Sequence, residues 1–389
     1  MRTKKEQKAG GLSTPARKGL PCEPAETAHL GRMTDRTSSR PLSLHAMATA
    51  LTGLFGLRPG ANAYYRGPVS DHFDGVRFFN PGGPNGKGFG DLLKWRFADG
   101  KEAWPAQYPS PFRDTPPARV PGAGLRVTLV GHASFLLQTA GLNILTDPVW
   151  SDRCSPFSFA GPQRVNAPGV AFDDLPPIDV VLLTHNHYDH LDVDTLRRLA
   201  ARHPLRIVTP LGNDTILREA GVPVPTRTLD WGDAAPLSEE VSVHAEQAIH
   251  WSARGLRDRQ RALWAAFVLR TPAGAIYHVG DTGFGDGSHF AAVRERHGPP
   301  RLAILPIGAY EPRWFMRDQH MNPEDAVRAM LACGAEQALG HHWGTFKLTD
   351  EGIERPPEAL GQALEKHGVH PERFLPLRPG QVWEVAERD

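Results

Sequence analysis

Asp179-Val180-Val181-Leu182-Leu183-Thr184-His185-Asn186-His187-Tyr188-Asp189-His190-Leu191-Asp192 is the run on which the reading of this chain turns. Its apolar, β-branched opening, Val180 to Leu183, is too short for a helix and reads as a buried strand. That strand empties directly into His185, His187, Asp189 and His190, four potential metal ligands on one loop. Imidazole nitrogens and a carboxylate suit zinc and its borderline neighbours when they converge from a rigid support. Extended backbone puts His185 and His187 on the same side, where they can grip one ion; after a bend, Asp189 and His190 can reach a second. The plain alternative is a polar turn with surface histidines, and chance rarely packs three His and one Asp behind a hydrophobic strand in this way.

Working outward, Leu125 to Val130, Ser134 to Gln138 and Asn143 to Thr146 read as strands of an antiparallel meander, the last two joined at Ala140-Gly141. Asp147, at the end of the third, is a candidate acceptor for orienting the histidine loop, and His132, between Gly131 and Ala133, is expected to hydrogen-bond near the metals. After the loop, Asp192 or Asp194 caps a helix with Leu196 and Leu199 inward, and Leu205 to Thr209 is the next strand. Strand, helix, strand implies one parallel crossover on a sheet that is otherwise a meander. Further strands are read at Val241 to Ala245, Leu263 to Arg270, Ala275 to Val279, Arg301 to Pro306 and Gln337 to Gly340. Helices open at Asn322-Pro323 and Pro356, and a terminal pair of strands centres on Phe374 and Val382. Strand ends thus offer three more ligands: His250, Asp281 and either His341 or His342. Seven ligands suit two ions sharing a carboxylate, with Asp281 the natural bridge.

The totals fit an enzyme-sized core. A chain of 389 residues that is 40% hydrophobic can bury a large domain, and a formal net charge of +1 gives no basic field to suggest nucleic acid as a partner. Three scattered cysteines, Cys22, Cys154 and Cys333, indicate neither a disulfide framework nor a thiolate cluster, whereas 18 histidines match the loop. Residues 1–40 are expected to be a disordered basic tail. Residues 41–124, rich in Pro, Gly and aromatics, read as an arm that wraps the domain, in which the apolar run Ala46 to Leu57 is open to three readings: a short surface helix, an export signal or an ordinary extension. Residues 125–389 are expected to form one domain that carries the candidate ligands. No stretch reaches the ~20 apolar residues of a membrane span. The expected location is cytoplasmic, with peripheral membrane contact through Ala46 to Leu57, or export, as alternatives; oligomeric state is left open.

His185-x-His187-x-Asp189-His190, the downstream His250, Gly280-Asp281 and a later strand-end histidine resemble the metallo-β-lactamase superfamily. The resemblance implies an α/β fold, a four-layer αβ/βα sandwich with a binuclear metal site. Gly131-His132-Ala133-Ser134-Phe135, Leu145-Thr146-Asp147-Pro148-Val149, Gln319-His320-Met321-Asn322-Pro323-Glu324, His342-Trp343-Gly344-Thr345-Phe346 and Phe78-Phe79-Asn80-Pro81 look most like the N-acyl-phosphatidylethanolamine-hydrolysing phospholipase D group. That group implies two Zn²⁺ per chain: His185, His187 and His250 on one, Asp189, His190 and His342 on the other, Asp281 bridging. It further implies that Gln319 and His320 lie near the substrate phosphate.

The expected reaction is phosphodiester hydrolysis of a phospholipid by a metal-bridging hydroxide, with Asp189, Asp281 and His320 as the catalytic side chains. Two alternatives stand beside it: hydrolysis of a small lactone or sugar phosphate, and a zinc-stabilised binding protein without catalysis. The thiolate of a true metal-binding β-lactamase is absent at Asp281.

Overall fold

Alternation along single strands explains the layering. In the computed structural model, which describes residues 61–83 and 87–385 within a unit spanning Leu57–Asp389, β4 (Val180–Leu182) directs Val180 and Leu182 to one hydrophobic cluster. Val181 and Leu183 belong to another. A strand covered on both faces has to be apolar throughout, which is why this one reads as a continuous run. The basic tail and the segment Ala46 to Leu57 lie outside the described residues. No helix among the described residues is long and apolar enough to cross a membrane.

The first sheet contains β1 (Leu125–Gly131), β2 (Ser134–Thr139), β3 (Leu142–Thr146), β4, β5 (Arg206–Pro210) and β6 (Thr226–Leu229). The second contains β7 (Ala234–Pro236), β8 (Ser242–Glu246), β9 (Ala266–Thr271), β10 (Gly274–His278), β11 (Leu302–Pro306), β12 (Gln337–His341) and β13 (Phe374–Pro376). β14 (Val382–Val385) returns to the first sheet, antiparallel to β1. Leu125, Val127, Phe135 and Leu182 from the first sheet share one core with Phe267, Ile276, Ile304 and Leu339 from the second, so the sheets pack face to face. Helices cover both outer faces. On the first sheet α2 (Val193–Arg202) buries Leu196 and Leu199, and its N-cap Asp192 accepts from the amides of Asp194 and Thr195. On the second lie α4 (Ser288–His297), α6 (Pro323–Cys333) and α7 (Arg355–Lys366), supplying Phe290, Met330 and Leu364. The expected αβ/βα sandwich is present.

Three sequence expectations need correction. β3, β4, β5 and β6 are mutually parallel, as are β10 through β13, so the sheets hold several crossovers where one was expected. The terminal strands do not pair with each other; β13 joins β12 and β14 joins β1, because each completes a different sheet edge. Short elements were missed: α3 (Asn213–Glu219), α4, β6 and β7 carry too few apolar residues to show a period.

The polypeptide before β1 is tied into this framework. Phe73 and Phe78 are each 1% exposed and sit in the core under the second sheet, their rings 4.6 Å apart. Nearby, α1 (Phe89–Arg96) places Trp95 4.9 Å from Phe315 of α5 (Arg313–Met316). Asp114 forms a two-pronged ion pair with Arg126 of β1 and accepts from Thr128. Phe73→Ala is expected to lower unfolding free energy by about 3–5 kcal/mol in denaturant titration, since it leaves a large cavity. A loss below about 1 kcal/mol would mean that this segment packs loosely.

Candidate metal centre

The histidine loop is built by hydrogen bonds that its own sequence supplies. Asp147, at the end of β3, accepts from the amide and hydroxyl of Thr184 at 2.7 and 2.6 Å, and His190 Nδ1 lies 2.8 Å from its second oxygen. The Thr184 proton being committed to Asp147, His185 Nδ1 must be the donor in its 3.0 Å contact with Thr184 Oγ1. His250 Nδ1 donates to the carbonyl of Gln319 at 3.1 Å. These partners orient three rings with Nε2 of His185, His190 and His250 facing inward, and in the neutral His185 and His250 that nitrogen keeps its lone pair. Of the two residues expected to support the ligands, Asp147 makes the contacts above and His132 Nε2 lies 2.9 Å from Asp189 Oδ2.

The side chains predicted as ligands converge. His187 Nδ1 lies 2.9 Å from His185 Nε2 and 3.2 Å from His250 Nε2. Oδ2 of Asp281 lies within 4.0 Å of five imidazoles: His342 at 3.1 Å, His190 at 3.3 Å, His250 at 3.8 Å, His320 at 3.9 Å and His185 at 4.0 Å. Asp189 Oδ2 lies 3.2 Å from His342 Nε2 and 3.5 Å from His190 Nε2. Among the described residues, four overlapping groups of potential ligands result: His185, His187 and His250; His132, Asp189, His190 and His342; His185, His190 and Asp281; and His250, Asp281 and His320. Of the two adjacent histidines, His342 enters the cluster, while His341 packs 5.6 Å from the ring of His278.

The backbone bends to achieve this. His132, Asp147 and His342 all adopt positive φ, at 55°, 37° and 65°. Such strain in residues with side chains persists only where surrounding contacts hold it. Gly280, also at φ 65°, passes so close to Thr184 that a Cβ would come within 2.8 Å of that side chain. Only glycine lets Asp281 approach the loop there.

The donor set fits a metal cation. Burial pushes the imidazoles of His185 and His250 well below the ordinary histidine range and His187 down to about 4, so all three are neutral at pH 7. Burial opposes ionisation of Asp189 and Asp281, yet the surrounding imidazoles, His190 and His342 foremost, hold both carboxyls well below their usual range. Among the described residues, His190 Nε2 and Asp281 Oδ1 are buried without a hydrogen-bond partner. Neutral imidazoles, ionised carboxylates and orphaned inward atoms are what a divalent cation requires of its ligands.

Sequence reasoning missed several supports. Arg254 Nη1 donates to the carbonyls of Asn186 and Leu191 at 2.9 and 2.8 Å and stacks on Tyr188, bracketing the loop from the segment that bears His250. Asn80, within the run Phe78 to Pro81, donates to the carbonyl of His250 at 3.0 Å. His320 lies beside Asp281, as above, whereas Gln319 meets the cluster through its backbone carbonyl. Nothing local in the sequence marks Arg254, because its role depends on a contact across the fold.

Comparison with known proteins agrees with this geometry. Residues 142–343 match the model of the β-lactamase superfamily domain. The chain is 35% identical, over 68% of its length and 77% of the relative's, to N-acyl-phosphatidylethanolamine-hydrolyzing phospholipase D 1 of Caenorhabditis elegans. It is 32% identical, over 64% of its length and 54% of the relative's, to the mitochondrial enzyme of the same name from Saccharomyces cerevisiae. A metallo hydrolase of the archaeon Ignicoccus hospitalis shares the fold at a TM-score of 0.50 and 20% identity, covering 68% of this chain and 100% of that one. With its sandwich fold and clustered His and Asp side chains, the chain belongs to the β-lactamase superfamily and is a metal-dependent hydrolase of that family.

Proposed function

We propose that this hydrolase is a zinc-dependent phosphodiesterase that cleaves N-acyl-phosphatidylethanolamine, or a related phospholipid, on the phosphatidate side of its headgroup. The observation that carries the reading is the single carboxylate oxygen, Asp281 Oδ2, set among five imidazoles, in a chain 35% identical to a relative named for that activity. His185, His187 and His250 would hold one Zn²⁺ and Asp189, His190 and His342 the other, with Asp281 across both, and the ions supply Lewis-acid stabilisation and an acidified water. The rest is done by the chain itself. Asp147, Thr184 and the Gln319 carbonyl orient the ligand rings, so the site is assembled before substrate arrives. His320 is buried and pushed down to about 4, so at neutral pH its ring is uncharged and can donate a hydrogen bond to a phosphoryl oxygen.

One observation favours a second reading, a small soluble phosphodiester or sugar phosphate. The cavity of about 610 Å³ beside Tyr188 of the histidine loop is lined largely by charged and hydroxyl side chains, among them Ser151, Arg153, Asp194 and Arg197. Its apolar lining is Pro156, Phe157, Leu191 and Val193, of which Phe157 is 55% exposed. Phospholipid vesicles and a small soluble phosphodiester, assayed side by side on zinc-loaded protein, separate the two. Release of phosphatidate is expected, and turnover of the soluble compound alone would leave only the second reading.

Metal analysis of the purified protein should give close to two zinc per chain. His187→Ala should lose metal and nearly all turnover, and undiminished activity with under one metal per chain would end the zinc reading. Asp147→Asn, which removes the acceptor behind His190 and Thr184, is expected to weaken metal affinity or activity by roughly 10–100-fold.

Proton release gives a further check. Burial disfavours the charged ring in His190 and His342, but Asp281 and Asp189 outweigh it, raising His190 well above the ordinary range and His342 to about 9. Ligand nitrogens must shed those protons to bind a cation, so zinc uptake near pH 7 should release protons and tighten as pH rises toward about 9. Calorimetric titration in buffers of differing ionisation enthalpy reads this directly; identical heats in all buffers would contradict it.

A further inference from the structure

A second cavity, of about 310 Å³, is walled by the same segments that carry the metal centre. Ile249 precedes His250, Phe284 follows Asp281 by three residues, and Asp318 precedes Gln319 and His320; all three line it. Arg313, Arg317 and Arg328 converge there from α5, the turn after it and α6.

The charges in this cavity do not balance. Asp318 is paired with Lys87 at 2.9 Å. Asp325 accepts from Arg313 at 2.6 Å and Arg328 at 3.4 Å, and it also receives the amide of Asn322 at the start of α6. Three guanidiniums thus line the cavity with two carboxylates, one of which is already neutralised by Lys87. Two of the guanidiniums are held in place: Arg313 also donates to the carbonyl of His320 at 2.9 Å, and Arg328 lies 4.1 Å over the ring of Phe284. The Arg317 side chain has no partner among the described residues. Fixed guanidiniums in a concave site match the planar, multiply accepting face of a phosphate and lose little freedom on binding it.

We propose that this cavity binds a phosphate group, borne by a lipid headgroup or free in solution, on Arg313, Arg317 and Arg328. The site is separate from the metal centre, and it stands or falls independently of which phosphodiester is cleaved.

Inorganic phosphate titrated calorimetrically into zinc-loaded, full-length protein probes the free form, and sedimentation with phosphatidylcholine vesicles doped with phosphatidate probes the headgroup. Both are run on wild type, Arg317→Gln and Arg328→Gln, with zinc content and melting temperature as checks of folding. One class of phosphate binding should weaken about tenfold or more in the Gln variants, as expected for loss of a charge-assisted hydrogen bond, and Arg317→Lys should recover part of it. A change confined to the vesicles assigns the site to a headgroup, and one confined to phosphate assigns it to the free ion. Unchanged binding in both arms, in variants that keep their zinc, overturns the proposal while leaving the hydrolase reading intact.

Discussion

Asp189 and Asp281 are buried carboxylates set among imidazoles, and that concentration of ionisable groups is the constraint the rest of the molecule serves. Ionised groups removed from water are tolerated only when opposite charge and hydrogen bonds surround them. Here the balance is carried by protons on His190 and His342 or by a cation, and the two compete for the same nitrogens. Every nearby oddity follows from holding these groups at contact distance: the positive φ of His132, Asp147 and His342, the bare Cα of Gly280, the bracket of Arg254. Two sheets clamped through a shared apolar core give the cluster its rigid base.

Much of this was legible in the sequence because the informative residues are contiguous. Val180 to Leu183 announces a strand covered on both faces, and four candidate ligands follow within seven residues, Thr184 to His190. His250, Asp281 and His342 could be found because each ends or follows a recognisable apolar strand. The choice between His341 and His342 is decided by backbone: positive φ at His342 sends its ring to Asp281, while His341 remains in the sheet against His278. What could not be read depends on distance in space. Arg254 and Asn80 act on backbone carbonyls far away in sequence, and carbonyls have no residue identity to betray the contact. Gln319 shows the same limit, since its backbone oxygen sets the tautomer of His250.

The cluster and its surroundings come from different parts of the fold. The cluster comes from strand ends of both sheets, whereas its surroundings come from polypeptide before β1, from the Phe157 loop and from the α5 turn. Loops on such a base can vary without disturbing the ligands. Phe73 and Phe78, by contrast, make the early polypeptide part of the core, and Asn80 a few residues on reaches the His250 segment. Changes in this part of the chain therefore reach the cluster.

The return of β14 to pair with β1 has a consequence for assembly. Leu125 lies opposite Val385, so the first sheet, which carries Asp147 and the histidine loop, gains its outer edge only when the last strand has left the ribosome. The second sheet is completed just before, by β13 beside β12. Closing contacts between residues so far apart in sequence is slow, and until then β1 presents an unpaired edge. During synthesis the nascent chain therefore carries His185, His187, Asp189 and His190 on an unfinished sheet whose open edge invites strand exchange with neighbouring chains.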